Sequence, residues 1–464
     1  MTNSYHFVGI GGIGMSAIAR ILLARGEAVS GSDLGATPLV DRLRAEGAQI
    51  AIGHDASNVS GATTLVVSSA IDRRNPECSA AVRLGIPVLH RGEMLARLLA
   101  GRRGIAICGT HGKTTTTAMT HAVLRAGGID AGLVLGGIDS ALDSNAYDGT
   151  SSWFVTEADE SDGSFALLEP AMAVVTNIEN DHLTSDDELP ALARAFAEFL
   201  AKLPEDGLAV IGVDNALAAS LTSHDLRARV VTCGLDAGAS LHAANLHFAG
   251  LGSEFDVVAQ RRTIGRVELR VPGAMNVQNA LAAIAIGLEL DVPFASIAAA
   301  LRDFAGVRRR FDVLLSNGRA TVVDDYAHHP TAVSATIAAA RRSHDGDLYV
   351  AFQPHRYTRT AFLARDFAAA LSGADRVYLV PIYAASEPAI PGVSERSIGD
   401  LLAALGTAVE YAASVTDLEA RLFDELPAGA MVLMLGAGDV TDAAARLAGR
   451  FATPAQRRAA SLHA

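Results

Sequence analysis

The fold is decided by a short run that joins an apolar segment to a helix-forming one: Gly109-Thr110-His111-Gly112-Lys113-Thr114-Thr115, preceded by Gly104-Ile105-Ala106-Ile107-Cys108. A strand, a glycine turn and a helix start form a phosphate-binding loop, because backbone N–H groups and the helix dipole attract an anion. Lys113 adds a cation, and the hydroxyl of Thr114 can ligate Mg²⁺. The run therefore predicts a site for a nucleoside triphosphate.

The loop departs from the common spacing of such motifs. That spacing would place a glycine at position 107, where this chain has isoleucine. We interpret the run as a compact variant of the phosphate loop. The alternative is a plain glycine turn between a strand and a helix, but Gly-Lys-Thr seldom stands at such a junction by chance.

Composition bounds the class of protein. The chain has 464 residues, and at roughly 100–200 residues per domain this length predicts about three domains. Half of the residues are hydrophobic and few are aromatic, and short apolar runs alternate with periodic helical stretches, which favours α/β layers. The formal net charge of −13 opposes non-specific nucleic-acid binding, so we expect no nucleic-acid partner.

Cysteine usage and hydropathy indicate the compartment. Cys78, Cys108 and Cys233 are widely spaced without a CxxC pair, which fits a reducing environment and no structural zinc. We expect Cys108 to be a plain buried strand residue, the alternative being a reactive thiol beside the phosphate loop. No charged leader opens the chain, and no apolar run approaches about 18–20 residues, so we expect a cytoplasmic protein without a membrane partner.

A second glycine loop lies near the start of the chain. A strand at 6–10 leads through Gly9, Gly11 and Gly14 into a helix at 15–25, and a strand at 28–31 ends at Ser32-Asp33. G-x-G-x-x-G followed by an acid about twenty residues later is typical of dinucleotide binding, although the same geometry holds any diphosphate. Strands at 64–69 and 87–90 and a helix at 92–99 complete this unit, which ends near residue 100.

Two acidic clusters follow the first phosphate loop. Predicted strands at 153–156 and 171–176 run into the polar segments 157–162 and 177–182. Because functional groups gather beyond the carboxyl ends of parallel strands, both clusters should point where the loop at 109–115 points.

Carboxylates beside a phosphate loop suggest Mg²⁺, which prefers oxygen ligands and bridges phosphates. Glu157 is the first candidate ligand, whereas Asp159, Glu160 and Asp162 fit a solvated acidic loop equally well. His182 ends the second cluster and is a candidate for a second metal site, the alternative being a capping or core histidine.

The remaining elements follow from periodicity. We expect antiparallel strands at 239–248, 254–259 and 266–271, helices at 276–290 and 294–304, a basic linker at 306–311, and a third unit with strands at 320–323, 348–352, 376–380 and 431–435.

Two polar runs follow strands of the third unit: Asp324-Asp325-Tyr326-Ala327-His328-His329-Pro330 and Gln353-Pro354-His355-Arg356-Tyr357-Thr358-Arg359. The first run is too polar for a core on this reasoning, and its proline should start a helix. Arg356 and Arg359 lie three residues apart, so both can address one anion at the start of the next helix, and arginine binds carboxylates and phosphates bidentately. The alternative is a solvated helix start.

Taken together, these runs resemble the Mur ligases of peptidoglycan synthesis. The resemblance rests, in chain order, on GIGGIGMSAIA, SGSD, SSAI followed by NPE, GTHGKTTTTAM, EADESDGSF, VTNIENDH, NVQNALAAIA, RRRFD, DDYAHHPT, QPHRYTRT and GAGD. It implies an α/β protein of three domains: a Rossmann-like N-terminal domain that binds a UDP-sugar (1–100), a central P-loop ATPase domain with a parallel sheet plus a small antiparallel sheet (101–310), and a Rossmann-like C-terminal domain that binds an amino acid (311–464).

The resemblance also implies an ATP- and Mg²⁺-dependent ligase in peptidoglycan precursor synthesis. The carboxylate of UDP-N-acetylmuramate would attack the γ-phosphate of ATP to give an acyl phosphate, which the amine of L-alanine would then attack. UDP-N-acetylmuramate and L-alanine are therefore the expected small-molecule partners, and we expect a monomer or a weak homodimer.

By the same resemblance, Lys113, Glu157 and His182 are catalytic, and Thr114, Glu157 and His182 are metal ligands. Asn276 and Asn279 would face the adenine end of ATP. The other residues implied for ATP are Gly109, Thr110, His111, Gly112, Lys113, Thr114, Thr115, Arg309 and Arg310.

The resemblance also divides the remaining site residues between the two other substrates. Those implied for the diphosphate of the UDP-sugar and its surroundings are Gly11, Gly12, Ile13, Gly14, Met15 and Asp33, with Ser69, Ala70 and Ile71 near the uracil. Those implied for L-alanine and the reacting phosphate are Tyr326, His328, His355, Arg356 and Arg359.

Three other functions stay open at this point. A sister ligase would join a murein tripeptide, L-Ala-γ-D-Glu-diaminopimelate, to the same UDP-sugar. A nicotinamide-dependent dehydrogenase would explain the opening glycine loop with Asp33 but not Lys113 or Glu157. A UDP-sugar sensor without catalysis would not need Lys113, Thr114 and Glu157.

Overall fold

The computed structural model describes residues 3–160, 163–180, 188–453 and 456. These residues form three sheets of five, ten and six strands, flanked by helices. The chain divides into two compact units: unit 1 comprises residues 1–244, 256–267 and 278–304, and unit 2 comprises 245–255, 268–277 and 305–464.

The first sheet lies in unit 1 and is parallel throughout. Its strands and helices are β1 (Ser4–Val8), α1 (Ile13–Ala24), β2 (Ala28–Asp33), α2 (Pro38–Ala45), β3 (Gln49–Ile52), β4 (Thr64–Val67), α3 (Pro76–Leu84), β5 (Val88–His90) and α4 (Arg91–Leu99). The strand order is β3-β2-β1-β4-β5. The order reverses between β1 and β4, and ligands of open parallel sheets bind in the crevice at the carboxyl ends of such a pair.

Local chemistry starts the helices of this sheet. The Thr37 hydroxyl accepts the Val40 N–H (3.3 Å) ahead of Pro38, and the Asn75 side chain accepts the Glu77 N–H (2.9 Å) ahead of Pro76. A capping side chain followed by proline at the first helical position is a strong start signal, because proline has no N–H that would need a partner there.

The central sheet follows with β6 (Arg103–Cys108), α5 (Lys113–Ala126), β7 (Gly132–Asp139), β8 (Ser144–Tyr147), β9 (Trp153–Glu157), β10 (Met172–Val175), α6 (Leu189–Leu200), β11 (Leu208–Gly212), α7 (Ala216–Ser220), β12 (Arg229–Gly234), β13 (Leu241–Ala249), β14 (Gly252–Ala259), β15 (Arg262–Leu269), α8 (Ala274–Glu289) and α9 (Phe294–Arg302). The strand order is β15-β14-β13-β12-β11-β10-β6-β9-β7-β8. β6 pairs in parallel with β10 and β9, whereas β7 and β8 form an antiparallel hairpin that the sequence analysis missed. β13 pairs with β12 in parallel, so the strands expected as a small antiparallel sheet extend the same sheet.

The third sheet belongs to unit 2. Its elements are β16 (Asp312–Ser316), β17 (Ala320–Asp325), α10 (Pro330–Ser343), β18 (Leu348–Phe352), α11 (Tyr357–Leu371), β19 (Arg376–Leu379), α12 (Arg396–Ala404), β20 (Ala408–Tyr411), α13 (Val415–Glu425), β21 (Ala430–Leu435) and α14 (Val440–Phe451). The strand order is β16-β17-β21-β18-β19-β20, and all pairs are parallel except β16 with β17. The two outer strands, β16 and β20, were not expected from the sequence because they are short and only partly buried.

Burial of the central strands gives each unit its core. In unit 1 a single apolar cluster joins the first and central sheets through residues such as Phe7, Leu98, Phe154 and Phe196. In unit 2 the third sheet has apolar clusters that include Phe352 and Tyr378. The α/β layers expected from the sequence are confirmed. Among the described residues, no helix is both long and apolar enough to cross a membrane.

Candidate functional site

The phosphate loop lies between β6 and α5, as the sequence predicts. Gly109 and Gly112 have φ of +118° and +84°, a region that favours glycine. A Cβ on Gly109 would lie 2.3 Å from the Thr176 hydroxyl, and one on Gly112 would lie 2.5 Å from Oδ1 of Asn279. Both glycines are therefore required by backbone conformation and by space.

The end of β10 holds this loop from one side. The Thr110 N–H donates to the Asn177 carbonyl (3.0 Å), and the His111 N–H donates to Oδ1 of Asn177 (2.8 Å). The Thr176 hydroxyl donates to the His111 carbonyl (2.6 Å). The loop backbone is thus fixed before any ligand is considered, which is the preorganisation that phosphate binding requires.

Lys113 is mostly shielded from solvent, with 16% of its side chain exposed, and is already paired. Its ammonium donates to the Gly109 carbonyl (2.6 Å), to the Thr110 carbonyl (3.3 Å) and to both carboxylate oxygens of Glu160 (3.0 and 2.8 Å). Burial alone would lower the pKa of Lys113, but the negative charges of Glu160 and Asp159 outweigh it and raise that pKa. Lys113 is therefore a permanent cation at the loop, and a phosphate oxygen has to compete with Glu160 for it.

Glu160 has a role in the loop that the sequence did not predict, because it pairs with Lys113. Its side chain is only 5% exposed, so for this residue the solvated-loop alternative is wrong. Asp159 pairs with Arg91, with 2.7 Å between Oδ2 and Nη2. An acid two or three residues from a predicted metal ligand carries no periodic signal of its own, and only the fold shows which cation it faces.

The described parts of the two acidic clusters, 157–160 and 177–180, lie where the sequence analysis expects them, because β9 and β10 flank β6. The Thr114 hydroxyl donates to Oε2 of Glu157 (3.2 Å), and Oε1 of Glu157 accepts the Gly136 N–H (2.5 Å). The candidate metal ligands Thr114 and Glu157 thus meet at the loop. His182 and Asp162 lie outside the described residues.

Cys108, directly before the loop, is a structural residue. It is fully buried, and its Sγ donates to the Val174 carbonyl (3.0 Å). Burial raises the pKa of this thiol far above its usual range. The expectation of a plain strand residue is confirmed.

The two asparagines expected near adenine have different surroundings. Oδ1 of Asn279 accepts the Thr116 hydroxyl (3.1 Å), so Asn279 lies against the first turn of α5, next to Gly112. Asn276 belongs to unit 2, where its Nδ2 donates to the Pro272 carbonyl (2.7 Å).

The opening glycine loop lies between β1 and α1. The Gly9 and Ile10 N–H groups both donate to the Ser32 carbonyl (2.8 and 3.0 Å). The Gly11 N–H donates to Oδ2 of Asp33 (2.8 Å). The end of β2 therefore holds the loop through one carbonyl and one carboxylate.

Of the other residues expected for the UDP-sugar, Ile71 lies against the same loop. Cδ1 of Ile71 would lie 3.3 Å from a Cβ on Gly9, and the Ser69 hydroxyl lies 3.0 Å from Nε2 of His90. Ala70 is exposed and Met15 is buried. Gly12 precedes α1 without a side-chain cap, and Ile13 is its first residue.

In unit 2 the run that begins with the last two residues of β17, Asp324 and Asp325, is largely buried, although the sequence analysis took it as too polar for a core. Both oxygens of Asp325 accept backbone N–H groups, from Phe311 and from Ala327 (2.7 Å each). Asp324 accepts the Thr441 hydroxyl and lies 3.7 Å from Nε of Arg309. Burial raises the pKa of Asp324 to about 6 against these contacts. That expectation was wrong because hydrogen bonds and charge partners make burial of these carboxylates tolerable.

Four rings form a row beside these acids, at centroid distances of 5.0, 5.7 and 5.7 Å along Tyr326, His328, His355 and Tyr383. The guanidinium groups of Arg309 and Arg310 lie over the Tyr326 ring at 4.8 and 5.2 Å, which is cation–π geometry. The structure therefore brings Tyr326, His328 and His355 together, and it adds Tyr383, which stands in a loop without a sequence signal.

The two arginines at the start of α11 differ in environment. Nη1 of Arg359 lies 3.4 Å from Nδ1 of His355, and Arg359 is buried. Arg356 is the residue before α11, has φ of +69°, and is 47% exposed at its side chain, 4.0 Å from Glu387. A non-glycine residue in the left-handed region is unusual and occurs preferentially where function constrains the backbone.

These features define a class: an α/β protein with a lysine- and threonine-bearing phosphate loop, edged by carboxylates at the carboxyl ends of its parallel strands. Comparison with known families then makes the assignment specific. Residues 4–103 match the Mur ligase family catalytic domain, 107–287 the Mur ligase middle domain, and 309–438 the Mur ligase glutamate ligase domain. The chain belongs to the Mur ligase family.

Individual relatives agree with this assignment. The chain is 48% identical to the UDP-N-acetylmuramate–L-alanine ligase of Acidithiobacillus ferrooxidans, over 95% of this chain and 96% of that protein. The crystal structure of the UDP-N-acetylmuramate-alanine ligase of Thermotoga maritima superposes with a TM-score of 0.84 at 29% identity, over 97% and 99% of the two chains. A murein peptide ligase from Psychrobacter arcticus, 24% identical with a TM-score of 0.73 over 97% of this chain and 100% of that one, shares the fold.

Proposed function

We propose that the protein joins L-alanine to the carboxylate of UDP-N-acetylmuramate at the expense of ATP, in peptidoglycan precursor synthesis. The supporting observation is the charged Lys113 in a fixed glycine loop, with Thr114 and Glu157 in contact beside it. The relative from Acidithiobacillus ferrooxidans, whose name states this reaction, aligns over 95% of the chain. Family membership removes the dehydrogenase alternative.

The reaction has two group transfers. A carboxylate oxygen of the muramate attacks the γ-phosphorus of ATP, the bond to the β-phosphate oxygen breaks, and ADP leaves. The L-alanine nitrogen then attacks the carbonyl carbon of the acyl phosphate, phosphate leaves, and the nitrogen loses a proton. Phosphoryl transfer needs positioning and charge neutralisation more than a protein nucleophile, which agrees with a loop built around a permanently charged lysine.

Thr114 and Glu157 fit Mg²⁺, because both present oxygen atoms, 3.2 Å apart, at the phosphate loop. When bound, Mg²⁺ would neutralise phosphate charge there. Lys113 would bind the β- and γ-phosphates after displacing Glu160. His182 is proposed for a second metal.

The other assignments complete the proposal. Asn276 and Asn279 would face adenine, and Arg309 and Arg310 would approach the ATP phosphates. Residues proposed for the UDP-sugar are Gly11, Gly12, Ile13, Gly14, Met15, Asp33, Ser69, Ala70 and Ile71, and those for L-alanine and the reacting phosphate are Tyr326, His328, His355, Arg356 and Arg359. The domain bounds 1–100, 101–310 and 311–464, a monomeric or weakly dimeric state, and a cytoplasmic location where ATP is available are proposals of the same kind.

The test is phosphate release from ATP with UDP-N-acetylmuramate and one amine at a time. L-Alanine should give stoichiometric phosphate and product, with glycine and L-serine as close analogues. Turnover with the tripeptide L-Ala-γ-D-Glu-diaminopimelate but not with L-alanine would identify the sister ligase instead. Binding of the UDP-sugar without phosphate release with any amine would identify a sensor.

A further inference from the structure

Arg91 lies against the opening glycine loop, although no motif marks it. It is the first residue of α4 and follows β5 at the carboxyl edge of the first sheet, where β1 and its loop also end. A Cβ built on Gly14 would lie 3.4 Å from Nη1 of Arg91. Its side chain is 24% exposed, so the guanidinium is neither free in solvent nor buried in the core.

The opening loop has no cation of its own. Residues 9–15 read Gly-Ile-Gly-Gly-Ile-Gly-Met, and the nearest charge on its backbone is the carboxylate of Asp33, which accepts the Gly11 N–H at 2.8 Å. A diphosphate placed there would face a negative group without a compensating positive one. Arg91 supplies that charge, and guanidinium groups bind phosphate oxygens bidentately.

Arg91 is engaged by an acid that belongs to the other phosphate site. Its Nη2 lies 2.7 Å from Oδ2 of Asp159, and the next residue, Glu160, holds Lys113. The pair Asp159–Glu160 therefore contacts one cation at each phosphate loop. Asp159 and Glu160 would each compete with a phosphate group for the cation that they contact.

We propose that Arg91 binds the diphosphate of the UDP-sugar, and that the diphosphate replaces Asp159 as its partner when the substrate binds. This inference rests on the proposed function for the identity of the sugar nucleotide. It depends on a diphosphate alone for its chemistry, so UDP is a sufficient probe.

The first measurement compares binding of UDP-N-acetylmuramate, UDP and uridine to the wild type and to Arg91→Ala. Calorimetry serves for the two diphosphates and ligand-observed NMR for uridine. We expect Arg91→Ala to raise the Kd of both diphosphates by about 10- to 100-fold, the range for a hydrogen-bonded charged contact, and to leave uridine binding unchanged. Arg97→Ala is the matched control, because Arg97 is exposed on the same helix.

The second measurement tests the exchange of partners. Asp159→Asn removes the competing charge, so the Kd of UDP should fall by about two- to fivefold, the range for a partly exposed ion pair. In the Arg91→Ala background, the same substitution should change nothing, because the pair no longer exists. Asp206→Asn, which breaks the exposed pair of Asp206 with Arg103, is the control.

The outcomes separate the two levels of the proposal. If the wild type binds UDP and Arg91→Ala binds it with the same Kd, the role of Arg91 is overturned. Equal weakening of uridine and UDP would also overturn it, because that pattern indicates a disturbed domain. Weaker UDP binding in Asp159→Asn would overturn the exchange. Wild-type binding of UDP but not of UDP-N-acetylmuramate would overturn the proposed substrate while the UDP experiments still decide the role of Arg91.

Discussion

The two glycine loops of this chain have the same architecture but differ in where their charges come from. Each follows a parallel strand, turns through glycines and enters a helix without a side-chain cap. The loop at 109–115 contains its own cation, Lys113, and is restrained by the backbone and side chains after β10. The loop at 9–15 contains no charge; Asp33 approaches it from the end of β2, and Arg91 from the start of α4.

This difference decides what a sequence can reveal. A loop that contains both its glycines and its cation is a specific motif, because its seven residues are enough to predict a phosphate site. A loop whose neighbouring charges come from other segments has only the sequence pattern of a general diphosphate turn. Its ligand depends on residues that the topology places beside it. Substitutions of residues within a loop and of residues that other elements bring to it should therefore differ in their effects.

Lys113→Ala should lower the turnover number by at least 10²- to 10³-fold, the usual cost of losing a charge contact made to the transition state. Circular dichroism should show an intact fold. The control is Lys202→Ala, since Lys202 is exposed and its ammonium donates to the Ala166 carbonyl. Wild-type turnover in folded Lys113→Ala would remove the phosphate-loop assignment.

Glu77→Gln should destabilise the domain of the opening loop. Glu77 is fully buried and accepts the Ser32 hydroxyl (2.6 Å) and the Asn58 amide (2.6 Å), with His6 at 3.4 Å. Because Ser32 also holds the Gly9 N–H, we expect a higher KM for UDP-N-acetylmuramate and an unchanged KM for ATP. Loss of a hydrogen bond to a charged group costs about 1.5–3 kcal/mol.

The same variant has a defined pH signature. Burial would raise the pKa of Glu77, but hydrogen bonds from His6, Ser32 and Asn58 lower it from 4.5 to about 2. The stability that its charge provides is therefore complete above pH 4.5 and is lost as the pH falls toward 2. The difference in unfolding midpoint between wild type and Glu77→Gln should shrink over that range. A constant difference, or the same shift in the exposed control Glu198→Gln, would contradict this role.

Alanine should be tolerated at Gly14, in the first turn of α1, and not at Gly112, in the turn before α5. Gly112→Ala forces a side chain into φ of +84° and to 2.5 Å from Asn279, so we expect a loss of at least about 1 kcal/mol and weaker ATP binding. Gly14→Ala meets only the end of the flexible Arg91 side chain at 3.4 Å and should keep wild-type stability. Equal thermal shifts in the two variants would show that the positive φ of Gly112 and its contact with Asn279 do not restrain that position.

Glu160→Gln should give the smallest effect, and its direction is the informative part. Removing the carboxylate that competes for Lys113 should lower the KM for ATP by about two- to tenfold, the net worth of one hydrogen bond. Glu169→Gln, on an exposed residue nearby, is the control. An unchanged or higher KM for ATP would show that Glu160 assists nucleotide binding instead of opposing it.

The sequence predicts the layers, most central strands and the phosphate loop because each has a local signal. Strand 348–352 is predicted to the residue, and Glu157 is identified by its position at a strand end. What the sequence does not reveal depends on contacts between distant segments. Glu160 and Arg91 each look like ordinary surface charges, and Asp324 and Asp325 look too polar to bury, until their partners from other segments are known.

The β7–β8 hairpin bears on whether the N-terminal domain can fold by itself. Residues 4–103 match one family module, yet Asn145 of β8 is fully buried and donates to the Ile13 carbonyl (2.8 Å) and to the fully buried Ser16 hydroxyl (2.9 Å) of α1. Arg20 on the same helix donates to Ser144 and Asn145. A fragment ending near residue 100 would leave these α1 groups without their partners and exposed to water, so the module should be inherited, expressed and engineered together with the hairpin that covers it.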